Sequence, residues 1–581
     1  MSRTPPTPTA ATAPAPLPVW WLAVLAPTLL AYNVSPSATL LNQLVAAGGW
    51  GLLLVNLAPA PGWVGAARAV AWPLSALAAL AVAVLVSMGA SLPSSLGLSA
   101  LALLLLAAGV LLAASGAVQD RFEAFAGTLV LAGLCSTLIA GIQVFLPGLA
   151  DGTWVAHSGL PGRAVGNLRQ PNHLSSLLLW ALIALVPVAR SGRWLGGPLP
   201  AWVAALMGIA MVWAVVLTAS RTGTLGVLIL ALWGALDRRL DRPLRRALLL
   251  APVVYALAWA GTAWWAHHAA QVFGAEARLG EGDLSSSRFG IWSNAWALVL
   301  AHPWTGVGFG EFNFAWTLGV FPGRPTAFFD HTHNLPLQLA VELGLPGAAL
   351  VMAGLVGGLV VAARRAWGVA DGQAGHEARA AWMMVLLIGV HSLLEYPLWY
   401  AYFLLPTAWA WGHALGCGRA AVPAASRRAQ DLWLLCGAAV MATSLYALYD
   451  YSRVVQVFAA GDGRTSLSER IARGQRSTFF SHHADYAAAT VTDHPGQALP
   501  AFDGAVHALI DTRLLMAWAR GLDEAGRRDQ ARFLAERLRE FRHPETQDWM
   551  QACEQATEPG QPRPFQCESA ERVYAPEDFT R

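Results

Sequence analysis

The chain has 581 residues, of which 55% are hydrophobic and 13% are charged, and its mean hydropathy is positive. A soluble protein of this length would need far more charged surface to cover its core, so an ordinary soluble enzyme is excluded. The net charge of +3 is too small to indicate nucleic-acid binding.

The N-terminal residues 1–18 are rich in Pro, Thr and Ala, and we expect them to form a disordered cytoplasmic tail. Arg3 is the single early charge and prolines interrupt the segment, which is not the pattern of a cleaved signal peptide. We therefore expect the first apolar run, near residues 20–31, to be retained as a membrane helix.

Repeated apolar runs of about 17 to 23 residues predict an all-α, polytopic membrane helix bundle. Roughly thirteen transmembrane helices are indicated by hydropathy. Their centres are expected near residues 26, 50, 79, 106, 135, 182, 209, 229, 257, 350, 388, 405 and 440. The transmembrane domain is expected to cover residues 19–450.

Arginine placement predicts the orientation of the bundle, because cytoplasmic loops of membrane proteins are enriched in positive charge. The loops expected on the cytoplasmic side of the membrane carry Arg68, Arg121, Arg190 with Arg193, Arg238 to Arg246, Arg364 with Arg365, and Arg427 with Arg428. By parity, the segments 33–43, 147–172 and 271–333 and everything after Tyr451 lie outside. The long outer loop, residues 269–333, exceeds what a simple connection requires, so function is expected to face outside.

From residue 451 to 581 the composition changes to that of a soluble domain, which we predict to be small, helical and periplasmic. Two amphipathic helices are indicated between Met516 and Glu540, broken near Glu524 to Gly526. This unit is similar to a tetratricopeptide repeat, and a plain helical cap is the alternative. In an oxidising compartment Cys553 and Cys567 either pair as a disulfide or stay free.

The first polar motif is Gly166-Asn-Leu-Arg-Gln-Pro-Asn-His173, just before the sixth span. Its candidate substrate-binding side chains are Arg169, Gln170, Asn172 and His173. A helix cap explains Asn172 by itself, but not the cation, the second amide and the imidazole beside it. We therefore expect a substrate role.

Two arginines stand out in the apolar and outer segments. Arg221 interrupts a nearly continuous apolar run, and a guanidinium at membrane depth indicates function unless it snorkels to the interface. Arg288 follows three serines that can cap the helix carrying Trp292, and a helix N-terminus with an arginine can bind an anion. The alternative for the second segment is an interfacial helix anchored by Trp and Arg.

The stretch Asp330-His-Thr-His-Asn-Leu-Pro336 opens the apolar run that continues past Gly344 and Gly347. Its His331, His333 and Asn334 stand where a polar loop becomes a membrane helix, and a histidine there can act as a base near neutral pH. A zinc site would need a third ligand that is not evident, so no metal is predicted. Glu395, in a second polar break, can fix an arginine or orient an imidazole.

These pieces, in this order, resemble the bacterial O-antigen ligase and polymerase superfamily. The resemblance rests on Arg221, Arg288, His333-Asn334, and Gly344 with Gly347. Within that superfamily, the motif at 166–173 and Leu394-Glu-Tyr-Pro-Leu-Trp-Tyr400 look like those of the protein O-oligosaccharyltransferases, also called pilin glycosylation ligases.

The resemblance implies transfer of a preassembled glycan from undecaprenyl diphosphate to Ser or Thr of an exported protein such as pilin. It implies a multi-pass protein of the bacterial inner membrane with a periplasmic site and no cofactor. Two arginines can neutralise the diphosphate, and His333 is the predicted base, with His331 in support.

Three other functions remain open. An O-antigen ligase would use a lipid A core sugar as the acceptor, and a polymerase would use a second lipid-linked glycan. A transporter would need polar groups near the middle of the bilayer, whereas the polar motifs cluster at one face.

Overall fold

The computed structural model describes residues 17–57, 63–116, 119–191, 198–280, 284–326, 328–419, 426–461, 464–553 and 563–579. The predicted N-terminal tail lies outside the described residues except for Leu17 and Pro18, which begin the first helix. Arg193 also lies outside them. The regular elements that these residues form are helices, and no strand occurs among them.

Seven described helices are long and apolar enough to cross a membrane, by length and composition. The helices of the bundle are α1 (Leu17–Leu29), α2 (Leu40–Asn56), α3 (Trp63–Ala69), α4 (Ala71–Ala90), α5 (Ser94–Ala114), α6 (Gln119–Phe145), α7 (Pro171–Ser191), α8 (Ala201–Leu217), α9 (Arg221–Leu236), α10 (Arg242–His268), α11 (Gly274–Gly280), α12 (Leu284–Ala301), α13 (Phe312–Leu318), α14 (Leu335–Gly368), α15 (Gln373–Ser392), α16 (Ala401–Gly416) and α17 (Arg427–Phe458). Every predicted span centre falls within one of them, which confirms a multi-pass helical membrane protein.

Helix α7 lies at the centre of the bundle, and nearly all of its side chains are buried. A helix that is apolar on all sides is stable only when other helices surround it. It packs against α6, α8, α9 and α15. Because Pro171 is its first residue, α7 carries Asn172 and His173 into the polar end of the bundle.

Helix α14 is interrupted at Gly344, whose φ of 69° and ψ of 172° lie outside the helical region. A Cβ there would lie 2.5 Å from the carbonyl carbon of Trp304. The backbone N–H of Leu345 donates to the carbonyl oxygen of Pro303 at 2.8 Å. Residues 335–343 therefore form a separate helical segment, and the membrane-length part of α14 begins after the break.

The C-terminal region continues from α17, which runs unbroken across the predicted boundary between residues 450 and 451. It contains α18 (Leu467–Gly474), α19 (Ser481–Val491), α20 (Leu499–Ala505), α21 (Thr512–Glu524), α22 (Arg528–Phe541) and α23 (Gln547–Gln551). The predicted helix pair is confirmed as α21 and α22, with Gly526 in the turn between them at a φ of 78°. Cys553 and Cys567 form a disulfide.

This region shares one hydrophobic core with the long outer loop and α14. Phe328 of the loop stacks on Phe541 of α22 with ring centroids 3.8 Å apart. His507 pairs with the buried carboxylate of Glu311 at 2.7 Å. The C-terminal helices therefore support the loop that leads to His331 and His333.

Candidate active site

The four segments predicted to lie outside meet at one end of the bundle. Arg169 binds the loop after α1, where it donates to the carbonyl oxygen of Ala38 at 3.2 Å. Tyr451 donates its hydroxyl to the carbonyl oxygen of Val34 at 2.7 Å. The long outer loop reaches the end of α15, where Arg288 meets Glu395. The polar motifs, which are far apart in sequence, form one surface.

Glu395 is the centre of the site. It follows α15 in a bend before Pro397, and its side chain is largely buried. Its Oε1 accepts hydrogen bonds from Arg288 at 2.8 Å and from the amide of Asn172 at 3.1 Å. Its Oε2 lies 3.0 Å from Nδ1 of His333. Both contacts that the sequence analysis considered for this carboxylate, to an arginine and to an imidazole, are therefore present.

The two histidines are joined to each other and to carboxylates at both ends. Nδ1 of His331 pairs with Asp330, and its Nε2 lies 3.0 Å from Nδ1 of His333. The order Asp330, His331, His333, Glu395 forms a continuous chain of polar contacts. The ring of Tyr396 covers His331, with ring centroids 3.5 Å apart.

Local backbone geometry holds His333 in place. Its φ is 55°, in the left-handed region that non-glycine residues adopt rarely. Asn334 caps α14 by accepting from the N–H of Leu337 at 3.0 Å, and its amide donates to the carbonyl oxygen of Leu393. The indole N–H of Trp292 donates to the carbonyl oxygen of Thr332 at 2.8 Å. The imidazole is thus fixed by α12, α14 and the end of α15.

The environment separates the pKa values of the two histidines. Burial disfavours the charged form of both rings. For His331, hydrogen bonds with Asp330 and Glu395 outweigh burial and raise the pKa above its ordinary value. For His333, burial, with the nearby charges of His331 and Arg288, lowers the pKa, although Glu395 opposes the shift. His333 is therefore the ring that stays neutral at lower pH.

Glu395 itself is held in its charged form. Burial alone would raise its pKa, but hydrogen bonds with His331 and His333 and the charges of His333 and Arg288 hold the pKa well below its usual range. A carboxylate next to Nδ1 selects the tautomer whose proton sits on that nitrogen. Nε2 of His333 is then the basic atom, and no hydrogen bond to it occurs within the described part of the chain.

Arg221 is connected to this centre through hydroxyl and amide groups. It is the first residue of α9, whose N-cap is Ser220. The Ser220 hydroxyl donates to Oδ1 of Asn172 at 2.7 Å, and the amide of Asn172 donates to Glu395. The Arg221 side chain is exposed, and its guanidinium makes no hydrogen bond or ion pair with any described residue. The backbone of Arg221 is therefore anchored beside Glu395, and its guanidinium is accessible to a ligand.

The other predicted site residues lie around this centre. The guanidinium of Arg169 is occupied by the carbonyl oxygens of Ala31 and Ala38. His173 is buried in the first turn of α7, against the ring of Tyr400 at a centroid distance of 4.6 Å. Gln170 precedes α7, and its buried Oε1 has no hydrogen-bond partner among the described residues. Asp330 and Tyr396 lie in the polar motifs at 330–336 and 394–400, and Ser220 precedes Arg221, but none of the three was predicted to have a role of its own.

His331, His333 and Glu395 also form a group with the donor set of a metal site, since one ligand atom from each lies within 4.8 Å of the others. Glu395 is the third ligand that was not evident in the sequence. The same atoms already bond to one another, and the guanidinium of Arg288 supplies positive charge at 2.8 Å from the carboxylate. A cation would have to displace these contacts, so we assign no metal here.

Comparison with known sequence families gives three matches. The O-antigen ligase family matches residues 206–352, which contain Arg221, Arg288 and His333. A family described as the C-terminal part of a virulence factor membrane-bound polymerase matches residues 379–557. The protein glycosylation ligase family matches residues 164–186, which contain the motif at 166–173. These matches and the helical fold confirm the class: a membrane protein similar to the O-antigen ligases and polymerases.

Two relatives of the chain are both named as O-oligosaccharyltransferases. A general O-oligosaccharyltransferase of Acinetobacter baylyi is 26% identical over 357 residues, 58% of each chain. A ComP-specific O-oligosaccharyltransferase of the same organism is 25% identical over 266 residues, 44% of each chain. The chain thus spans less than two thirds of the length of either relative. Together with the glycosylation ligase match, they confirm the resemblance to the protein O-oligosaccharyltransferases.

Proposed function

We propose that this protein transfers a preassembled glycan from undecaprenyl diphosphate to Ser or Thr hydroxyls of an exported protein such as pilin. The reaction takes place at the periplasmic face of the bacterial inner membrane. The observation that carries the proposal is the arrangement around Glu395, which joins Arg288 and His333 in one site. The oligosaccharyltransferase names of the two relatives support the same chemistry.

In the proposed reaction His333 acts as the general base. Its Nε2 takes the proton of the acceptor hydroxyl, while Glu395 holds the Nδ1 proton and stabilises the imidazolium that forms. The hydroxyl oxygen forms a bond to the anomeric carbon of the glycan as the bond from that carbon to the diphosphate oxygen breaks. Attack in line with the leaving group inverts the configuration at that carbon.

Arg221 and Arg288 stabilise the diphosphate as negative charge develops on it. A guanidinium has five N–H donors, so Arg288 can keep its bond to Glu395 and still donate to a phosphate oxygen. Arg221 has its guanidinium available at the same end of the bundle. We propose no cofactor and no metal, because the guanidiniums of Arg221 and Arg288 can supply the charge stabilisation that phosphate leaving groups need.

The second candidate is the activity of an O-antigen ligase or polymerase. It is favoured by the two family matches, which cover the long outer loop and most of the C-terminal helices. The acceptor would then be a lipid A core sugar or a second lipid-linked glycan. Co-expression with a lipid-linked glycan and a pilin, followed by the masses of the pilin, the lipid A fraction and the lipid-linked glycan, distinguishes these acceptors.

The mechanism is tested with purified His333→Ala and Arg288→Ala variants in proteoliposomes that contain a lipid-linked glycan and an acceptor pilin. Loss of one fixed base is expected to lower the transfer rate by about a hundredfold or more, and loss of the arginine by a similar factor. The variants must reach the membrane at the level of the unaltered protein.

The matched controls are His494→Ala and Arg473→Ala, which remove exposed side chains of the C-terminal region. Both controls are expected to keep full transfer activity. Full activity of the His333 and Arg288 variants would overturn the proposed mechanism. Transfer to lipid A with no transfer to pilin would leave the mechanism intact and change the acceptor.

A further inference from the structure

One side of helix α12 contacts both the candidate site and the hydrophobic core. At its N-terminal end Arg288 reaches Glu395 at 2.8 Å, and one turn later Trp292 reaches Thr332, also at 2.8 Å. The same side carries Ile291, Ala295 and Val299, which are fully buried in the core shared with α14. The helix is therefore held along this side, by the candidate site near its N-terminal end and by the hydrophobic core along its length.

The adjoining face of α12 is apolar and uncovered. Phe289 is 66% exposed, Trp296 50% and Leu300 64%, and Trp304 just beyond the helix is 78% exposed. The small exposed residues Ser293 and Ala297 lie between them. Residues 289–301 contain no Asp, Glu, Lys or Arg. A helix face of this composition, turned toward water, would expose large aromatic surface with no charge to solvate it.

This face continues into the side of α14 that would face lipid. Trp304 packs its backbone against Gly344, and Leu345 bonds to the carbonyl oxygen of Pro303. Leu345 and Leu350 are exposed at the start of the part of α14 that follows the break. That part belongs to a helix long and apolar enough to cross a membrane. The two exposed apolar surfaces therefore meet at the level where the membrane helix begins.

We propose that α12 lies in the outer interface of the bilayer, with Phe289, Trp296, Leu300 and Trp304 inserted among the lipids. Amphipathic helices bind membranes in this way, and Trp is the side chain most favoured at the boundary between headgroups and acyl chains. Uncharged residues on the lipid side and Arg288 at the polar end fit this position. A partner protein on the same face is the competing occupant.

The consequence concerns the height of the catalytic centre. Because Arg288 and Trp292 belong to the same helix, insertion of α12 places Glu395 and His333 at the level of the lipid headgroups. A diphosphate attached to a lipid would lie at that level. The inference concerns the position of α12 in a membrane and does not depend on which reaction the site performs.

The test is spin-label accessibility in proteoliposomes of bilayer lipids alone, without donor or acceptor. Cys135, Cys417 and Cys436 are replaced by Ala, which leaves the Cys553–Cys567 disulfide in place. Single nitroxide labels are then attached at Ser293→Cys and Ala297→Cys, two small exposed positions that tolerate a label. Leu350→Cys provides the lipid-facing reference, and Leu509→Cys, exposed in the C-terminal region, provides the water-facing reference.

If α12 lies in the interface, the labels at 293 and 297 collide with dissolved oxygen several-fold more often, relative to a water-soluble nickel chelate, than the label at 509. Their ratio approaches that of the label at 350. A ratio equal to that at 509 would overturn the proposal. Exclusion of both reagents would also overturn it, because it would show a face covered by protein. Thermal unfolding of each labelled protein confirms that its fold is intact.

Discussion

At the scale of single residues, Glu395 brings together predicted site residues that are far apart in the sequence. It is 62 positions from His333 and 107 from Arg288 in the chain, and it contacts both. Its Oε1 accepts hydrogen bonds from Arg288 and Asn172, and its Oε2 contacts the imidazole of His333. This division lets one carboxylate contact a guanidinium and an imidazole at the same time.

The lowered pKa of His333 predicts the pH dependence of transfer. The base must be neutral, and the fraction of neutral imidazole falls as the pH falls through its pKa. Because burial and the charges of His331 and Arg288 lower that pKa, the acidic limb of kcat/KM should have its midpoint below about 6.5, the ordinary histidine value. The measurement is kcat/KM against pH between about 4.5 and 8.

Asp330→Asn is the companion variant for this profile. The Asp330 carboxylate raises the pKa of His331, so its removal makes His331 less often charged. A less charged neighbour no longer opposes protonation of His333, whose pKa should rise. The acidic limb is therefore expected to move to higher pH, and a limb that stays in place or moves down would contradict the coupling between the two rings.

At the scale of elements, the break in α14 decides where the histidines lie. The segment 335–343 begins at the capped Asn334, beside the end of α15, and the membrane helix begins only after Gly344. Periodicity alone predicts one continuous helix through this stretch, because residues on both sides of the break are apolar. The pair Gly344 and Gly347 was recognised in the sequence, whereas the close approach of Trp304 depends on tertiary packing.

Gly344→Ala is expected to destabilise the protein and reduce transfer. Its φ and ψ lie in a region open almost only to glycine, so a side chain costs about 1–3 kcal/mol. The added Cβ would also lie 2.5 Å from a backbone carbon. Thermal unfolding in detergent and the transfer rate at saturating donor measure the two effects.

Gly389→Ala is the matched control, because Gly389 is an exposed residue inside α15 and an added Cβ there meets nothing within 4 Å. It should leave unfolding and transfer unchanged or raise the stability slightly, since Ala favours helix more than Gly does. Equal behaviour of the two variants would show that the break at Gly344 does not position the site.

At the scale of the whole molecule, the C-terminal helices support the long outer loop. Arg324 of the loop is fully buried and bonds to Glu540 of α22 at 3.0 Å. The same carboxylate binds Arg537 at 2.9 Å. The nearby stack of Phe328 on Phe541 adds apolar contact between the loop and α22. The region after α17 is thus joined to residues 319–333 through both charge and packing.

Glu540→Gln should release the loop from α22. It leaves the buried guanidiniums of Arg324 and Arg537 without their shared carboxylate, and breaking a buried pair in this way costs about 3–5 kcal/mol. Amide hydrogen exchange of residues 319–333 should accelerate, and transfer should fall. Asp523→Asn, which removes the partner of a more exposed pair with Arg528, should change stability by less than about 1 kcal/mol. Unchanged exchange in the Glu540 variant would contradict this coupling.

The sequence by itself determined the helical class, the positions of the spans and the residue types at the polar end. The thickness of a bilayer sets the length of each apolar run, and the amphipathic pattern between Met516 and Glu540 predicted α21, α22 and the turn between them. Both properties are local, so they can be read from a short stretch of chain.

Only the tertiary structure decided which polar groups meet. Arg169 and Arg288 both lie in polar segments that were predicted to contribute to the site. Packing directs the first toward loop carbonyl oxygens and the second toward Glu395. His331 and His333 are two residues apart and both contact Glu395, yet their pKa values shift in opposite directions. Asp330 adds a second carboxylate beside His331, whereas the charges of His331 and Arg288 lie near the more weakly compensated His333. Contacts over such separations depend on how the helices pack, which no local pattern specifies.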